Sequence, residues 1–235
     1  MLDTKFWKKY FQVYDLLNVV QPYDSLLSVL CDSVEPKNGK IILDAGAGTG
    51  NLAVKMVNRG AEVVGLDFST EGLEIFKKKL PNSKTIIHDL NKSLPFPDNY
   101  FDGLVSNNTI YTLPENNRPA IFKEFYRVLK PGGKIAIANV HKGFKPFKIY
   151  TEHIKWSVKN KGIFSTIAQM FELAIPTIKI FYYNYLIKKE NKNSQYSFVE
   201  IGEQKKLLES AGFNNVSEDR YVYAGQGILN VAAKF

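Results

Sequence analysis

The chain has 235 residues and a mass of 26.7 kDa, which suits one large domain. Hydrophobic residues make up 45% and charged residues 23%, so the composition is that of a globular protein and excludes a disordered or fibrous chain. The formal net charge is +8, and residues 142–193 hold +7 of it through ten lysines and three glutamates. A segment this basic predicts an anionic partner, whereas the remainder of the chain is almost neutral.

The single cysteine, Cys31, cannot form an internal disulfide, which is typical of a cytoplasmic protein. The first 17 residues contain no apolar run followed by a small-residue cleavage site. We therefore expect no signal peptide and a cytoplasmic location, with membrane association as an additional hypothesis for the basic segment.

Short apolar runs alternate with helical stretches along the chain. Strands are predicted at 41–43, 63–66, 85–87, 103–106, 134–139, 215–223 and 227–234. Helices are predicted at 52–59, 70–79, 119–129 and 203–210. The sequence Pro131-Gly132-Gly133 predicts a tight turn into the fifth strand. Near-continuous apolar strands separated by helices of about ten residues indicate a doubly wound α/β fold with a parallel sheet.

A glycine-rich loop follows the first predicted strand and opens the next helix. Its sequence is Asp44-Ala45-Gly46-Ala47-Gly48-Thr49-Gly50. Glycines let the backbone turn sharply and approach a ligand, and helix N-termini attract polar or anionic groups. The third glycine of the dinucleotide pattern G-x-G-x-x-G would fall on Asn51, so the loop differs from that of dinucleotide enzymes.

Acidic residues follow the second and third predicted strands. Asp67 ends the second strand, where a carboxylate can accept hydrogen bonds from both hydroxyls of a ribose. A helix N-cap is the alternative for Asp67, although Ser69 or Thr70 is the better candidate for that cap. Asp89 follows the third strand and is a candidate for a nucleotide contact, or else a solvated loop residue.

These motifs, in this order and spacing, resemble class I S-adenosylmethionine-dependent methyltransferases of the small-molecule group, which includes quinone and lipid methyltransferases. The resemblance covers residues 39–140 well and 203–235 more loosely. It implies a mostly parallel, seven-stranded Rossmann-like sheet with an inserted helical cap, and S-adenosylmethionine as cofactor. The cofactor contacts that it implies come from Tyr14, Asp44, Ala45, Gly46, Gly48, Asp67, Phe68, Asp89, Leu90 and Asn107.

The resemblance also assigns each part of the cofactor to particular residues. The glycine loop would pass under the methionine and ribose parts, and the Asn107 backbone would line the methionine end. Phe68 would lie against the adenine face, and Asp89 would accept from the adenine amino group. Tyr14 would touch the cofactor carboxylate, with an aromatic anchor on the sheet as the alternative for this residue.

Methyl transfer is an in-line displacement at a sulfonium, so positioning and exclusion of water can supply most of the rate. A base is needed only when the acceptor must lose a proton. His141, after the fifth strand, is a candidate base; a solvated turn histidine is the alternative. Tyr111 and His141 are the predicted residues of the acceptor pocket. No His, Cys and carboxylate cluster has metal-ligand spacing, so we expect no metal.

Residues 142–196 form a predicted insertion between the fifth strand and the last helix, within a single methyltransferase domain of residues 1–235. Residues 163–187 are long enough to cross a bilayer, but Gln169, Glu172 and Pro176 make them a poor span. Two interpretations remain: apolar helices that cap a small acceptor, or an interfacial cap that makes peripheral membrane contact through 142–193. Residues 191–194 are a predicted flexible joint.

The predicted function is methyl transfer to a small, lipophilic or aromatic acceptor. RNA or protein methylation through the basic insertion is one alternative, and a non-catalytic cofactor-binding partner subunit is another. Enzymes that methylate base nitrogens usually carry Asn/Asp-Pro-Pro-Tyr after the fourth strand, and this chain has Asn107-Asn108-Thr109-Ile110 there. We therefore expect a small-molecule acceptor and no nucleic acid, and the sequence leaves the oligomeric state open.

Overall fold

A seven-stranded sheet lies at the centre of the computed structural model, which describes residues 4–191 and 197–235. The strands are β1 (Ile41–Ala45), β2 (Glu62–Asp67), β3 (Lys84–Ile87), β4 (Phe101–Asn107), β5 (Leu129–Val140), β6 (Arg220–Val222) and β7 (Gly227–Ala233). Their order is β3-β2-β1-β4-β5-β7-β6, and β7 runs antiparallel to β5 and β6 while the other neighbouring pairs are parallel. The predicted mostly parallel, seven-stranded Rossmann-like sheet is confirmed.

Helices cover both faces of this sheet. They are α1 (Thr4–Tyr14), α2 (Gln21–Ser33), α3 (Asn51–Val57), α4 (Thr70–Lys79), α5 (Arg118–Val128), α6 (Pro146–Lys161), α7 (Ile163–Asn191) and α8 (Glu203–Ala211). Successive strand residues alternate between two apolar cores: in β1, Ile42 belongs to the core with α2 and α3, and Leu43 belongs to the core with α5 and α8. Because both faces are covered, the carboxyl edge of the sheet is the expected place for a ligand.

Two strands differ from their predicted bounds. β5 begins at Leu129, and the predicted turn at Pro131-Gly132-Gly133 is a bulge inside it: Leu129 pairs with Phe101, and Lys134 pairs with Gly103. Gly132 has a φ of +79°, which glycine adopts without strain. The pairing of β5 with β4 can therefore continue on both sides of the bulge. The strand predicted at 215–223 is only the three-residue β6, preceded by Asn215 at a φ of +50°.

The predicted insertion contains two long helices, α6 and α7, separated by Gly162 and packed against each other. Ser157 of α6 is buried and accepts a 2.9 Å hydrogen bond from Thr166 of α7. The joint predicted at 191–194 begins with the last residue of α7, and its remaining residues lie outside the described part of the chain. After this gap, Val199 pairs with His141 in an isolated parallel bridge.

Close packing of Phe76 against two glycines positions the loop that follows β1. The Phe76 ring of α4 lies so close that a Cβ on Gly50 would be 2.5 Å from its Cδ2, and a Cβ on Gly65 would be 2.7 Å from its Cε2. Phe76 itself is fully buried. The absence of side chains at these two glycines therefore lets α4 approach β2 and the loop closely.

We expect Gly65→Ala to lower the free energy of unfolding by about 1–3 kcal/mol, because the added methyl group overpacks against Phe76. Urea denaturation would measure this change. Combining Gly65→Ala with Phe76→Leu should recover part of the lost stability, since the smaller leucine side chain leaves space for the added methyl group. An alanine variant as stable as the original protein, or additive effects in the double variant, would contradict this packing.

Candidate active site

The glycine loop turns sharply at the carboxyl end of β1. The Leu66 carbonyl of β2 accepts hydrogen bonds from the Gly46 and Ala47 N–H groups, at 2.7 and 3.0 Å. Gly46 has a φ of +81°, and a Cβ at this position would lie 2.1 Å from Oγ1 of Thr109. Only glycine fits here, because the loop passes directly beneath Thr109.

Asp67 at the end of β2 holds this loop in place. Its Oδ2 accepts a 2.8 Å hydrogen bond from the Gly48 N–H, and its Oδ1 accepts one of 2.8 Å from the Ser69 N–H. Burial raises the pKa of Asp67, and the N–H groups of Ser69 and Gly48 act in the opposite direction. Ser69 caps α4 by accepting from the Gly72 N–H, as the sequence predicts, and each Asp67 oxygen keeps lone-pair capacity for a ligand hydroxyl.

A second buried carboxylate lies close to the first. Asp44 of β1 is 2% exposed, and within residues 4–191 and 197–235 its Oδ2 has no hydrogen-bond partner. Burial and the neighbouring Asp67 raise the pKa of Asp44 to about 7, while the Ala53 N–H has a smaller, lowering effect. Asn107 at the end of β4 has a buried Oδ1 that likewise lacks a partner among the described residues.

These unsatisfied acceptors fit a ligand that carries positive charge and hydrogen-bond donors. A buried polar atom without a partner is unfavourable, and two neighbouring carboxyl groups are unfavourable when both are ionised. S-adenosylmethionine has a sulfonium, an amino group and ribose hydroxyls, so it supplies both the positive charge and the hydrogen-bond donors. The residues at this edge of the sheet therefore suit the cofactor that the sequence predicts.

The candidates for the adenine contact lie along β2 and β3. Phe68 is 57% exposed, although it directly follows the buried Asp67. Asp89 Oδ1 accepts from both the backbone N–H and the side-chain amide of Asn91, at 2.9 and 2.8 Å, and thus stabilises a turn. Leu90 is buried in the core. The two hydrogen bonds from Asn91 engage only Oδ1 of Asp89 and not its Oδ2. The adenine contact of Asp89 stays a prediction.

Helix α1 lies across the glycine loop. A Cβ on Gly48 would be 3.6 Å from the Phe11 ring, and Thr49 donates a 2.6 Å hydrogen bond to Asp15 just after the helix. Asp15 also forms a 2.8 Å ion pair with Lys79 of α4. These contacts place the N-terminal helix over the cofactor loop and bring Tyr14 to the same region.

Five further tyrosines gather around Tyr14. This tyrosine cluster comprises Tyr10, Tyr14, Tyr23, Tyr111, Tyr150 and Tyr223. The ring centroids of Tyr10 and Tyr23 lie 5.4 and 5.8 Å from that of Tyr14, and Tyr223 lies 5.9 Å from Tyr23. The Tyr23 hydroxyl donates to the Tyr14 hydroxyl at 3.1 Å.

Burial keeps these phenols neutral. It raises the pKa of Tyr10, Tyr14 and Tyr223 well above the ordinary value, and the neighbouring tyrosines raise it further. The cluster therefore offers aromatic faces and neutral hydroxyl groups. Tyr223 adopts a φ of +55°, which is rare for a bulky residue and marks local strain in the turn before β7.

Sequence reasoning found only part of this cluster. It singled out Tyr14 and Tyr111, whereas Tyr23, Tyr150 and Tyr223 carry no motif of their own. These three come from α2, α6 and the β6–β7 turn, which meet only in the folded chain. Residues 142–193 contain ten aromatic residues, and this enrichment is the one sequence signal that points toward Tyr150.

The ring of His141 lies against the backbone, and its predicted role as a base stays a prediction. Its Nδ1 lies 2.9 Å from the Lys142 carbonyl, and its Nε2 lies 3.0 Å from the Gly225 carbonyl. Both ring nitrogens thus face backbone carbonyl oxygens, and a neutral imidazole can donate a hydrogen bond to only one of the two. The ring also packs edge-on against Tyr221, with 6.0 Å between the ring centroids, just after the end of β5.

Comparisons with known proteins agree with this fold and site. A family model described as a methyltransferase domain matches residues 43–137. A demethylmenaquinone methyltransferase of Renibacterium salmoninarum is 36% identical over 129 residues, which cover 54% of this chain and 53% of the relative. A ubiquinone/menaquinone biosynthesis C-methyltransferase of Wigglesworthia glossinidia brevipalpis is 30% identical over 183 residues, covering 71% and 72%.

The similarity to solved structures covers more of the chain than the family model does. A TehB-like methyltransferase structure from Corynebacterium glutamicum aligns with a TM-score of 0.61 at 16% identity, covering 99% of this chain and 100% of that one. The sheet order and the loop after β1 define an open α/β fold that binds a nucleotide-type cofactor. With the sequence relatives, they place the chain in a family: it belongs to the class I S-adenosylmethionine-dependent methyltransferases. The chain spans about half the length of several curated relatives that it matches.

We expect the affinity for S-adenosylmethionine to depend on pH around the Asp44 pKa of about 7. A cation next to Asp44 favours its ionised form and lowers this pKa in the complex. Affinity is then full above pH 7 and falls below it, by about tenfold per pH unit at most. Calorimetric titration across this pH range would measure how the affinity depends on pH, and Asp44→Asn should abolish this dependence. A pH-independent affinity in the original protein would contradict the juxtaposition of Asp44 and the cation.

Proposed function

We propose that this protein transfers a methyl group from S-adenosylmethionine to a small, lipophilic or aromatic acceptor. The observation that carries the proposal is that α1 touches both halves of the site: Phe11 lies on the glycine loop, and Tyr14 belongs to the tyrosine cluster. An acidic, polar half thus adjoins an aromatic half. The relatives whose names include ubiquinone and demethylmenaquinone support an acceptor of that aromatic, lipophilic class.

The residues at the carboxyl edge of the sheet have separate roles in this proposal. Asp67 accepts from the ribose hydroxyls, and Asp44 with Asn107 satisfies the charged methionine end. Ala45, Gly46 and Gly48 form the backbone floor of the site. Phe68, Asp89 and Leu90 surround the adenine, and Tyr14 approaches the cofactor carboxylate.

S-adenosylmethionine supplies an electrophilic methyl group when it is bound, so the chain mainly has to orient the acceptor and exclude water. The tyrosine cluster suits that task, because its rings stack on an aromatic acceptor and its neutral hydroxyls donate to acceptor oxygens. Tyr111 and Tyr223 are the proposed donors. His141, which directly follows β5, is retained as a candidate base and as a residue of the acceptor pocket.

Residues 142–196 are the proposed cap over the acceptor, within a single methyltransferase domain of residues 1–235. In the described part of this segment, α6 contributes Tyr150 to the tyrosine cluster, and Tyr183 of α7 packs on Tyr10 with 6.1 Å between their ring centroids. We also propose that the protein works in the cytoplasm and makes peripheral membrane contact through residues 142–193. Nucleic acid is not the favoured substrate, since the names of the relatives include ubiquinone, menaquinone and demethylmenaquinone.

We expect Asp67→Asn to weaken S-adenosylmethionine binding by about 1–3 kcal/mol, because a charged acceptor of ribose hydroxyls is lost. Asp102→Asn is the matched control: Asp102 accepts from the Ile41 N–H at 2.9 Å and from Lys130 at 2.8 Å, at the amino ends of the strands. Calorimetric titration would compare the two variants. Equal affinities would remove Asp67 from the cofactor site.

Release of S-adenosylhomocysteine with a panel of lipophilic phenols and quinols would test the reaction itself. We expect turnover with members of this panel and none with RNA. Cofactor binding without turnover on any acceptor would favour a non-catalytic partner subunit.

We expect Tyr223→Phe and Tyr111→Phe to raise KM for the acceptor by about 3- to 10-fold, as each removes one neutral hydrogen bond. Affinity for the cofactor should not change. Tyr221→Phe is the control, because it removes the same hydroxyl group from a tyrosine that is 57% exposed and lies two residues before Tyr223 in the chain. Steady-state kinetics would measure KM for each variant. An unchanged KM in both Tyr223→Phe and Tyr111→Phe would exclude the tyrosine cluster from acceptor binding.

A further inference from the structure

One face of α7 carries a continuous apolar stripe that points away from the rest of the protein. This outer stripe comprises Phe164, Ile167, Phe171, Ile175, Ile178, Tyr182 and Tyr185, whose exposed fractions range from 45% to 86%. Their spacing of three or four residues keeps them on one side of the helix. The stretch Ile163–Tyr183 has a mean hydropathy of 1.3, yet only 11% of it is buried.

The opposite face of α7 packs on the protein. Thr166 and Ile180 are 3% and 5% exposed, and Tyr183 meets the Phe6 ring of α1 edge-on with 5.4 Å between centroids. Exposed Glu172 and Lys179 flank the stripe. To cross a bilayer, α7 would have to leave α1 and α6 and carry these two charges into hydrocarbon, which is unfavourable. The helix is instead suited to lying flat in a membrane interface.

The charge around α7 identifies the surface that it fits. Among the residues of α6 and α7 whose exposure the structure describes, the exposed lysines are Lys148, Lys155, Lys159, Lys161, Lys179 and Lys189. Residues 142–193 hold +7 of the chain's net charge of +8. Two copies that met through this face would bring like charges together, whereas anionic headgroups would neutralise them.

We propose that the outer stripe of α7 is a docking surface for an anionic phospholipid bilayer, with the helix axis in the plane of the interface. This inference rests on the membrane contact of the proposed function and assigns the contact to one face of one helix. The stripe enters the boundary of the acyl chains, and the lysines of α6 and α7 lie at headgroup level. Since the inner face of α7 touches α1, which covers the glycine loop, the docked helix lies one layer from the active site.

Vesicle co-sedimentation with the full chain tests this surface. We expect binding to phosphatidylcholine vesicles that contain phosphatidylglycerol, with little binding to phosphatidylcholine alone, and a loss of binding at high salt. Phe171→Glu should weaken binding by about tenfold or more, because it places a charge in the middle of the stripe. Ser165→Glu is the matched control: it adds the same charge at an exposed position of α7 outside the stripe. It should retain most of the binding.

The outcomes separate this surface from its alternatives. Equal vesicle binding by the two variants, or no binding of the original protein at low salt, would overturn the proposal. So would a dimer in sedimentation velocity that Phe171→Glu converts to a monomer, since a second copy would then cover the stripe. Resistance to carbonate extraction would indicate a spanning helix and would also overturn it.

The same variants distinguish this inference from the proposed function. Phe171→Glu should bind S-adenosylmethionine and methylate a detergent-solubilised acceptor as the original protein does, because Phe171 lies outside the active site. Turnover without vesicle binding would remove the docking surface and leave methyl transfer in place. Vesicle binding without turnover would remove methyl transfer and leave the docking surface.

Discussion

The Asp67 carboxylate joins the segments on which the candidate cofactor site depends. One oxygen accepts from Gly48 in the glycine loop, and the other accepts from Ser69 before α4. Burial opposes ionisation of this group, and the two N–H donors favour it. The buried Asp67 carboxylate therefore fixes the position of the loop relative to β2. The Phe76 ring, which packs closely against Gly50 and Gly65, holds the same segments together.

Asp44 makes this end of the sheet unfavourable without a ligand. Its side chain is buried beside Asp67, and its pKa of about 7 reflects both burial and the neighbouring charge. Strongly perturbed carboxyl groups in such a place are typical of functional sites, where a ligand rather than the protein supplies the compensating charge. Stability alone would favour an apolar or neutral residue at this position.

The molecule is built in successive layers outward from this edge. The acidic edge lies under α1, α1 packs against the inner face of α7, and the outer stripe of α7 faces solvent. The tyrosine cluster fills the space beside α1, where buried phenols replace water with rings and neutral hydroxyls. Aromatic residues thus connect the cofactor loop to the outer stripe of α7.

The sequence by itself determined the elements whose signals are local. Apolar runs predicted the parallel strands, and the glycine loop followed by Asp67 predicted the cofactor edge, because a strand, a tight turn and a strand-end carboxylate are each encoded within about ten residues. Only the tertiary structure decided the rest. It inserted β7 between β5 and β6, placed the Gly225 carbonyl against His141, and brought Tyr10 to Tyr223 across nearly the whole chain. It also decided which face of α7 is covered. These outcomes depend on packing between segments far apart in sequence, and no local pattern of residues encodes such contacts.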